Sequence, residues 1–306
     1  MKILFIIISL GFVFSNNISG VAYFNYSEDS GFGLSRTYFT YKSEISDELS
    51  FKFQTDIGQL SESEEDLAED YRWTAYLKKA QLDWKVNDGM KISMGMIGMN
   101  MFNVQEKTWG NRFVAKSAMD ANKYSSSADL GFAVSKKLGP VAASLLMTNG
   151  EGYKDSNSDE HSKISIQLLY GEKRLDKNDG YNIGIVKSTL TDSPSANTDV
   201  FGLFGGWSNE NYIIGVEHNT KNIDLVGAKN SASLSSVYAN YSLSGNLCMF
   251  VRMDSNDPNS DVDDDESDTK WIGFKWTPTK GLDICPTLVQ IDDDDSNMII
   301  NFQFKF

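Results

Sequence analysis

The chain is poor in the residues that cross-link a fold or bind metals. It has two cysteines, Cys248 and Cys285, two histidines and five prolines among its 306 residues. The two cysteines fall in separate predicted strands, so a structural disulfide is not expected, and two distant cysteines with two distant histidines do not make a metal site. We therefore expect neither a metal nor any other cofactor.

Basic residues and long apolar runs are also scarce. The chain has 28 Lys and Arg against 42 Asp and Glu, a net charge of −14, which excludes nucleic acid as a partner attracted by the overall field. One long apolar run extends from Ile3 to Phe14, directly after Lys2. This pattern is typical of a secretory signal peptide, and the run is too short to span a bilayer of about 30 Å as a helix. We assign 1–20 to the signal peptide, with cleavage between 15 and 20, and 21–306 to one domain.

An exported chain without a second long apolar run is either soluble or a membrane β-barrel, because only helices and closed barrels satisfy every backbone polar group in lipid. Short segments that alternate apolar and polar residues recur through the sequence, and this period of two predicts strands. The fourth segment is less regular, because Lys78 falls on its lipid face; a bulge or a position at the rim could accommodate it. The sixteen predicted strands are 20–27, 33–44, 49–58, 72–85, 91–99, 125–137, 141–148, 162–172, 181–190, 198–208, 211–220, 232–243, 247–254, 269–277, 282–291 and 297–306.

The last strand and the connections favour a transmembrane barrel over a secreted sandwich, whose strands also alternate. The chain ends on Phe306 after an alternating strand, which is typical of the closing strand of a Gram-negative outer-membrane barrel, where the final aromatic residue serves as an assembly signal. Short turns follow the even strands, and longer loops follow odd ones, at 59–71, 100–124, 149–161, 221–231 and 255–268. We predict an all-β, transmembrane antiparallel barrel of about sixteen strands, with fourteen to eighteen compatible, short periplasmic turns and long acidic external loops.

Acidic residues concentrate on these predicted external loops. The four groups run from Glu62 to Asp70, from Asp155 to Glu160, from Asp261 to Asp268 and from Asp292 to Asp295. A calcium-binding EF-hand loop that starts at Asp261 would need Gly at its sixth position and Glu at its twelfth, where the chain has Glu266 and Ile272. Solvated loops are the simpler interpretation. Divalent ions that bridge these loops to lipopolysaccharide phosphate are an open alternative.

Catalysis finds little support in the sequence. No G-x-S-x-G motif occurs, and spacing assembles no catalytic triad. A barrel enzyme would need His161 or His218 as its base. We predict that the chain is not an enzyme and carries no catalytic residues.

Three stretches, 31–58, 75–99 and 125–152, resemble consecutive hairpins of the phosphate-selective porin family of the O and P type. The first has Arg36 before an aromatic strand and a short turn, and the third carries Asp129-Leu130-Gly131. The resemblance implies an outer-membrane porin of a Gram-negative bacterium, a homotrimer through which ions and small hydrophilic solutes diffuse passively. Its expected partners are outer-membrane lipid, lipopolysaccharide and the barrel-assembly machinery. A preference for anions or phosphate is left open.

A barrel of about sixteen strands encloses an aqueous channel, and its selectivity depends on the narrowest point. In porins that this chain resembles, the third external loop folds inward and narrows the pore; here that loop is 100–124, and its alternative is to pack outside the barrel against a neighbour. The candidate constriction residues are Glu106, Lys107, Arg112 and Lys116, and the candidate lumen-wall residues are Arg36, Lys42, Lys52, Lys79, Lys91 and Lys137.

The predicted charges of the wall and of the external loops have opposite effects on ion selectivity. A basic wall favours anions, whereas acidic loops concentrate cations at the entrance. The alternative function is a closed outer-membrane barrel that acts as a structural anchor, or as an adhesin through its acidic loops.

Overall fold

The chain forms a closed antiparallel β-barrel in a computed structural model that describes residues 16–59, 73–154, 161–193, 196–225 and 228–306. All sixteen predicted strands are present, which confirms the predicted fold class and strand number. In the described ranges no helix is long and apolar enough to cross a membrane. The only helices found there are α1 (Gln105–Trp109) and α2 (Ala118–Ala121), which lie in one connection.

The strands follow one another around the barrel in chain order, and the ring closes between the first and the last. The first eight strands are β1 (Asn16–Ser27), β2 (Gly31–Glu44), β3 (Leu49–Gln59), β4 (Trp73–Asn87), β5 (Met90–Gly98), β6 (Ala128–Leu138), β7 (Val141–Thr148) and β8 (Lys163–Gly171). The others are β9 (Gly180–Ser193), β10 (Ala196–Ser208), β11 (Tyr212–Leu225), β12 (Ala228–Ser244), β13 (Leu247–Asp257), β14 (Ser267–Thr279), β15 (Leu282–Ile291) and β16 (Asn297–Lys305).

The seam between β1 and β16 leaves no free sheet edge. Its register runs from Val21 opposite Lys305 to Ser27 opposite Ile299. The terminal residue extends the seam, because the backbones of Gly20 and Phe306 exchange two hydrogen bonds of 2.9 and 3.1 Å. The Phe306 ring lies over Gly20, where an added Cβ would come within 2.1 Å of the ring. Closure pairs the backbone groups of the first and last strands, which would be unpaired at a sheet edge in lipid.

The two ends of the barrel differ in their connections. We call the end that holds the connections after even-numbered strands the turn end, and the opposite end the loop end. Turns such as 88–89 and 139–140 lie at the turn end, whereas 99–127 and 149–162 lie at the loop end. The acidic groups from Glu62 to Asp70 and from Asp155 to Glu160 lie outside the described residues, and the loop-end segment from Asp292 to Asp295 is exposed.

Two predicted external loops are shorter than the sequence indicated. Strand β11 continues to Leu225 and β12 starts at Ala228, so most of the predicted loop 221–231 is strand. Similarly, β13 and β14 shorten the predicted loop 255–268 to 258–266, and Asp268 lies in β14. Alternation is lost there because polar residues occupy both faces, yet the backbone hydrogen bonds continue.

Outward side chains form an apolar surface with aromatic residues at the turn end. Tyr212 stacks on Tyr241 with ring centroids 4.7 Å apart, and Tyr170 lies 6.1 Å from Tyr181. The outward aromatic residues near this end are Trp84, Tyr170, Tyr181, Trp207, Tyr212, Tyr241, Trp276 and Phe304. An outward apolar band edged by aromatic residues is the surface that a barrel needs in a bilayer.

A bulge in β4 explains the irregular pattern of the fourth predicted strand. The register between β3 and β4 shifts at Gln54 and Thr55, so Lys78 and Lys79 both turn inward. Lys78 is buried inside the barrel and donates to the hydroxyl of Tyr38, 3.2 Å away. The bulge thus removes a cation from the outer apolar surface.

The N-terminal strand constrains the signal-peptide prediction, because β1 includes residues 16–20 of the predicted leader. We expect the mature chain to retain Gly20, since cleavage after Gly20 would remove both backbone hydrogen bonds to Phe306. The intact mass of the protein extracted from membranes checks this. A mature chain that begins at Val21 would contradict it.

Candidate functional site

The connection between β5 and β6, residues 99–127, folds into the barrel; we call it the inserted loop. Its residues Met101, Val104 and Met119 are fully buried. They pack, with Phe102, Ala118 and Tyr124, against inward side chains of β8 to β12: Leu169, Val186, Val200, Phe204 and Leu234. Each such apolar side chain contributes about 1.5–3 kcal/mol when it is withdrawn from water. The inserted loop is therefore fixed to one side of the inner wall.

Close approach of the inserted loop depends on small residues in the wall. Gly206 of β10 faces Thr108 of α1, and a Cβ at Gly206 would lie 3.0 Å from Thr108 Cγ2 and 2.8 Å from Leu175 Cδ1. A larger residue would push α1 towards the barrel axis.

An aromatic cluster anchors the middle of the inserted loop. The Trp109 ring lies 5.5 Å from the rings of both Tyr238 and Phe250, in edge-on arrangements. The Arg252 guanidinium lies between Trp109 and Trp271, 5.1 and 5.0 Å from their ring centroids. Arg252 also donates to the backbone oxygen of Lys116, 2.7 Å away. Stacking and cation–π contact hold this arginine so that it fixes the loop.

Buried amides complete the attachment. Asn111 Nδ2 donates to Asn240 Oδ1 at 2.6 Å, and Asn240 Nδ2 donates to the Trp109 oxygen at 3.2 Å. Lys275 Nζ donates to Asn111 Oδ1 at 3.0 Å. Because these polar groups are paired inside the barrel, moving the loop would leave them unsatisfied.

The structure brings two of the four candidate constriction residues, Glu106 and Arg112, into contact and places Lys107 and Lys116 elsewhere. Arg112 pairs with Glu106 at 3.2 Å and with Asp120 at 2.7 Å, and its guanidinium lies 3.5 Å from the Tyr38 hydroxyl on β2. These groups cross the lumen. Lys116 faces a cavity at the loop end. Lys107 is near the β8–β9 turn.

The candidate wall residues lie in register on the inner face, but they differ in their partners. Arg36 pairs with Asp56 at 3.3 Å, and Lys91 pairs with Asp83 at 3.0 Å. Lys137 is exposed beside the turn that joins β6 to β7. Two wall cations are thus neutralised by neighbouring carboxylates.

Three lysines of the wall have no carboxylate partner within the described part of the chain. Lys42 faces Lys52 across β2 and β3, and Lys79 faces Gln54 across β3 and β4. No ion pair is found there for Lys42, Lys52 or Lys79. Glu106 is close enough to Lys79 to interact with it electrostatically across the lumen. The free cations therefore lie opposite the inserted loop.

The β7–β8 connection also contacts the inner face of β2 to β4, from the loop end of the barrel. The Tyr153 hydroxyl, in the β7–β8 connection, donates to the fully buried Asp56 at 2.5 Å. Burial raises the pKa of Tyr153, so this hydroxyl stays protonated as a donor. Lys78 lies 4.7 Å from the Tyr153 ring and 3.7 Å from Asp56. We call the Tyr153–Asp56 contact the latch.

Sequence reasoning missed both the apolar inner wall and the latch. The inner wall did leave a signal, because β8 to β10 carry adjacent apolar pairs such as Leu168–Leu169, Ile185–Val186 and Leu203–Phe204. Apolar residues on both faces of a strand indicate that both faces are covered. The latch leaves no local signal, since Asp56 and Tyr153 are 97 residues apart.

No protein-family model matches the chain, and no curated protein matches its sequence. Solved structures do match. OmpT, an outer-membrane protein of Vibrio cholerae in a trimer form, has a TM-score of 0.68 at 11% identity, over 96% of this chain and 99% of that chain. An anion-selective porin from Comamonas acidovorans has a TM-score of 0.67 at 10% identity, over 96% and 100%. OmpF of Salmonella typhi, in a complex with daunomycin, has a TM-score of 0.66 at 10% identity, over 95% and 97%.

These likenesses show the fold alone. It is the fold of outer-membrane porins, a sixteen-stranded closed antiparallel barrel.

The latch leads to a prediction about the width of the lumen. Tyr153→Phe keeps the ring but removes the donor to Asp56, and a hydrogen bond to a charged group contributes about 1.5–3 kcal/mol. We expect the variant to occupy a wider state about tenfold more often than the parent, measured as higher-conductance events in single-channel recordings. Tyr212→Phe, on the outer face, is the matched control. Equal event frequencies in parent and Tyr153→Phe would contradict a gating role for the latch.

Proposed function

We propose that this protein is an outer-membrane porin of a Gram-negative bacterium, a water-filled channel for passive diffusion of ions and small hydrophilic solutes, with a preference for anions. One observation carries the proposal. The inserted loop is attached to the β8–β12 side, and the unpaired lysines Lys42, Lys52 and Lys79 lie on the opposite wall. A narrow passage lined by cations attracts anions, because fields are focused between low-dielectric walls.

Location in the outer membrane is supported by the outer surface of the barrel. The exposed apolar band suits the hydrocarbon region of a bilayer, and the aromatic residues at its turn end suit the headgroup region. Phe306 closes the seam and remains our candidate assembly signal for the barrel-assembly machinery. Outer-membrane lipid and lipopolysaccharide are the surroundings that this surface implies.

The oligomer and the finer selectivity are proposals by likeness. OmpT of Vibrio cholerae is described in a trimer form, and we propose a homotrimer here. The porin of Comamonas acidovorans is described as anion-selective, which agrees with the unpaired lysines of this lumen. Preference for phosphate among anions rests on the resemblance of 31–58, 75–99 and 125–152 to the phosphate-selective porins.

The acidic loop end opposes this preference but acts at a distance. Asp292 to Asp295 are exposed to solvent, where salt screens charges beyond about 8–10 Å. Lys52 and Lys79 are partly buried in the passage, where screening is weaker. We therefore expect the lysines to decide selectivity.

An enzymatic role has less support than a channel. His218 lies on the outer face of β11, with its Nδ1 2.9 Å from the Ser235 hydroxyl. A base in that position faces away from the lumen, where a hydrophilic substrate would enter. We propose that the barrel transports and does not catalyse.

A closed barrel that serves as anchor or adhesin is the second candidate, and the latch favours it. Asp56 and Lys78 are buried inside the barrel, and Arg112 crosses to Tyr38. If these contacts close the passage permanently, the folded protein will show no conductance in a planar bilayer. Stepwise ohmic conductance would exclude this candidate.

Selectivity tests the proposed function directly. In a salt gradient, we expect the reversal potential to show that chloride is more permeant than potassium. The double substitution Lys52→Gln and Lys79→Gln should lower the chloride-to-potassium permeability ratio several-fold, because it removes two unpaired cationic side chains from the wall of the passage. Lys136→Gln with Lys229→Gln, two exposed lysines outside the lumen, is the matched control and should leave the ratio unchanged. A parent channel that prefers potassium would overturn the proposed preference.

The pKa of Lys107 predicts that the anion preference depends on pH. Burial, with the charges of Lys173 and Arg174 nearby, lowers the pKa of Lys107 to about 8. The ammonium group is charged below that pH and becomes neutral as the pH rises through it, so anion preference should fall between about pH 7 and 9. The reversal potential measured across this range checks the fall. Lys107→Arg keeps its charge and should reduce the shift; an undiminished shift in that variant would contradict a role for Lys107.

A further inference from the structure

A cavity of about 530 Å³ lies inside the barrel at the loop end. It is bounded by the returning half of the inserted loop (116–127), the start of the β7–β8 connection (150–154) and the inner face of β8 to β11. Its volume is within the range of sites that hold small organic molecules. Two of its lining residues adjoin the Arg112–Tyr38 contact, because Asp120 pairs with Arg112 at 2.7 Å and Arg36 donates to the Tyr38 hydroxyl at 3.1 Å.

The charge of this cavity is opposite to the charge of the chain. Its carboxylates are Asp120 and Glu151, and Asp120 is already paired with Arg112 at 2.7 Å. Its cationic lining residues are Arg36, Lys116, Lys123, Lys154, Lys163 and Lys221. Arg36 is paired with Asp56 at 3.3 Å, but the five lysines still outnumber the two carboxylates among the described lining residues, which makes this a local basic site in a chain of net charge −14.

Neutral groups position two of these lysines. Lys221 Nζ donates to the backbone oxygen of Lys123 at 3.3 Å and lies 5.7 Å from the Tyr124 ring centroid. Lys154 Nζ lies 4.9 Å from the ring of Tyr76. A carbonyl and two ring faces hold these ammonium groups without adding a negative charge beside them.

The same cavity has an apolar side. Leu190, Val200 and Ile223 line it beside Tyr124. An inorganic ion would leave this surface in contact with water, whereas a compact apolar group would cover it. The lysines thus favour a negatively charged group, and the apolar side favours an organic group on the same ligand.

We propose that this cavity is a binding site for organic anions that carry two negative charges next to a compact apolar group, as phosphate monoesters of aromatic alcohols do. The proposal rests on the proposed channel function and specifies its solute. Lys123 and Lys221 contact the dianion, and the apolar side holds the organic group. Solutes captured here lie next to the entrance of the passage between the inserted loop and the β2–β4 wall.

Block of the chloride current by 4-nitrophenyl phosphate tests the site. Added on the loop-end side of a planar bilayer, the probe should reduce the current with a saturable concentration dependence. Methyl phosphate, which has the same headgroup without the ring, should require a higher concentration. Replacing Lys123→Gln and Lys221→Gln together should raise the half-blocking concentration of the aryl phosphate about tenfold or more.

The control is Lys136→Gln with Lys229→Gln, which removes two exposed lysines outside the cavity and should leave block unchanged. Equal block of the parent and the Lys123→Gln/Lys221→Gln variant would overturn the site. Equal block by methyl phosphate would overturn the organic specificity. A chloride-selective current that the aryl phosphate does not affect would contradict only the proposed binding site. Absence of any current would contradict the proposed channel function.

Discussion

The packing of the inserted loop, residues 99–127, against an apolar inner wall is the contact on which the rest of the lumen depends. A barrel of sixteen strands needs no interior core, since backbone hydrogen bonds around the ring already close it. Here the strands β8 to β12 nevertheless present inward Leu169, Val186 and Leu234, which the loop covers. The loop thus fills the β8–β12 side of the lumen, and the proposed solute path runs along the opposite side, β2 to β5.

The charges follow from this division. The filled side carries paired groups, such as Arg252 with Asp254 at 2.7 Å. The side of β2 to β5 carries paired cations as well, Arg36 and Lys78 with Asp56 and Lys91 with Asp83. It also carries Lys42, Lys52 and Lys79, which have no carboxylate partner among the described residues, and acidic side chains are exposed at the loop end. An acidic chain can therefore hold a basic lumen. The net charge of −14 belongs to the whole chain and does not describe the wall around Lys42, Lys52 and Lys79.

The sequence predicted the strands well because lipid imposes a period of two on each of them. It also flagged Lys78 as irregular, and the β4 bulge is the physical cause. Strand ends at 221–231 were predicted poorly, because β11 and β12 continue past the apolar band and lose alternation there. The contact partners of the loop residues could not be predicted from the sequence. Arg112 contacts Tyr38 across the barrel, and Tyr153 contacts Asp56, and these residues come together only because the ring of strands closes.

The most direct test of this account asks which side of the lumen carries the current. In a chain with Cys248→Ser and Cys285→Ser, a single cysteine is introduced by Lys79→Cys or by Leu234→Cys, and a negatively charged thiol reagent is added during single-channel recording. If the loop covers the β8–β12 wall, the reagent will rapidly reduce the current through the Lys79→Cys channel and leave the Leu234→Cys channel unchanged, because Leu234 is fully buried. Rapid modification of the Leu234→Cys channel, with none at Lys79→Cys, would contradict the account.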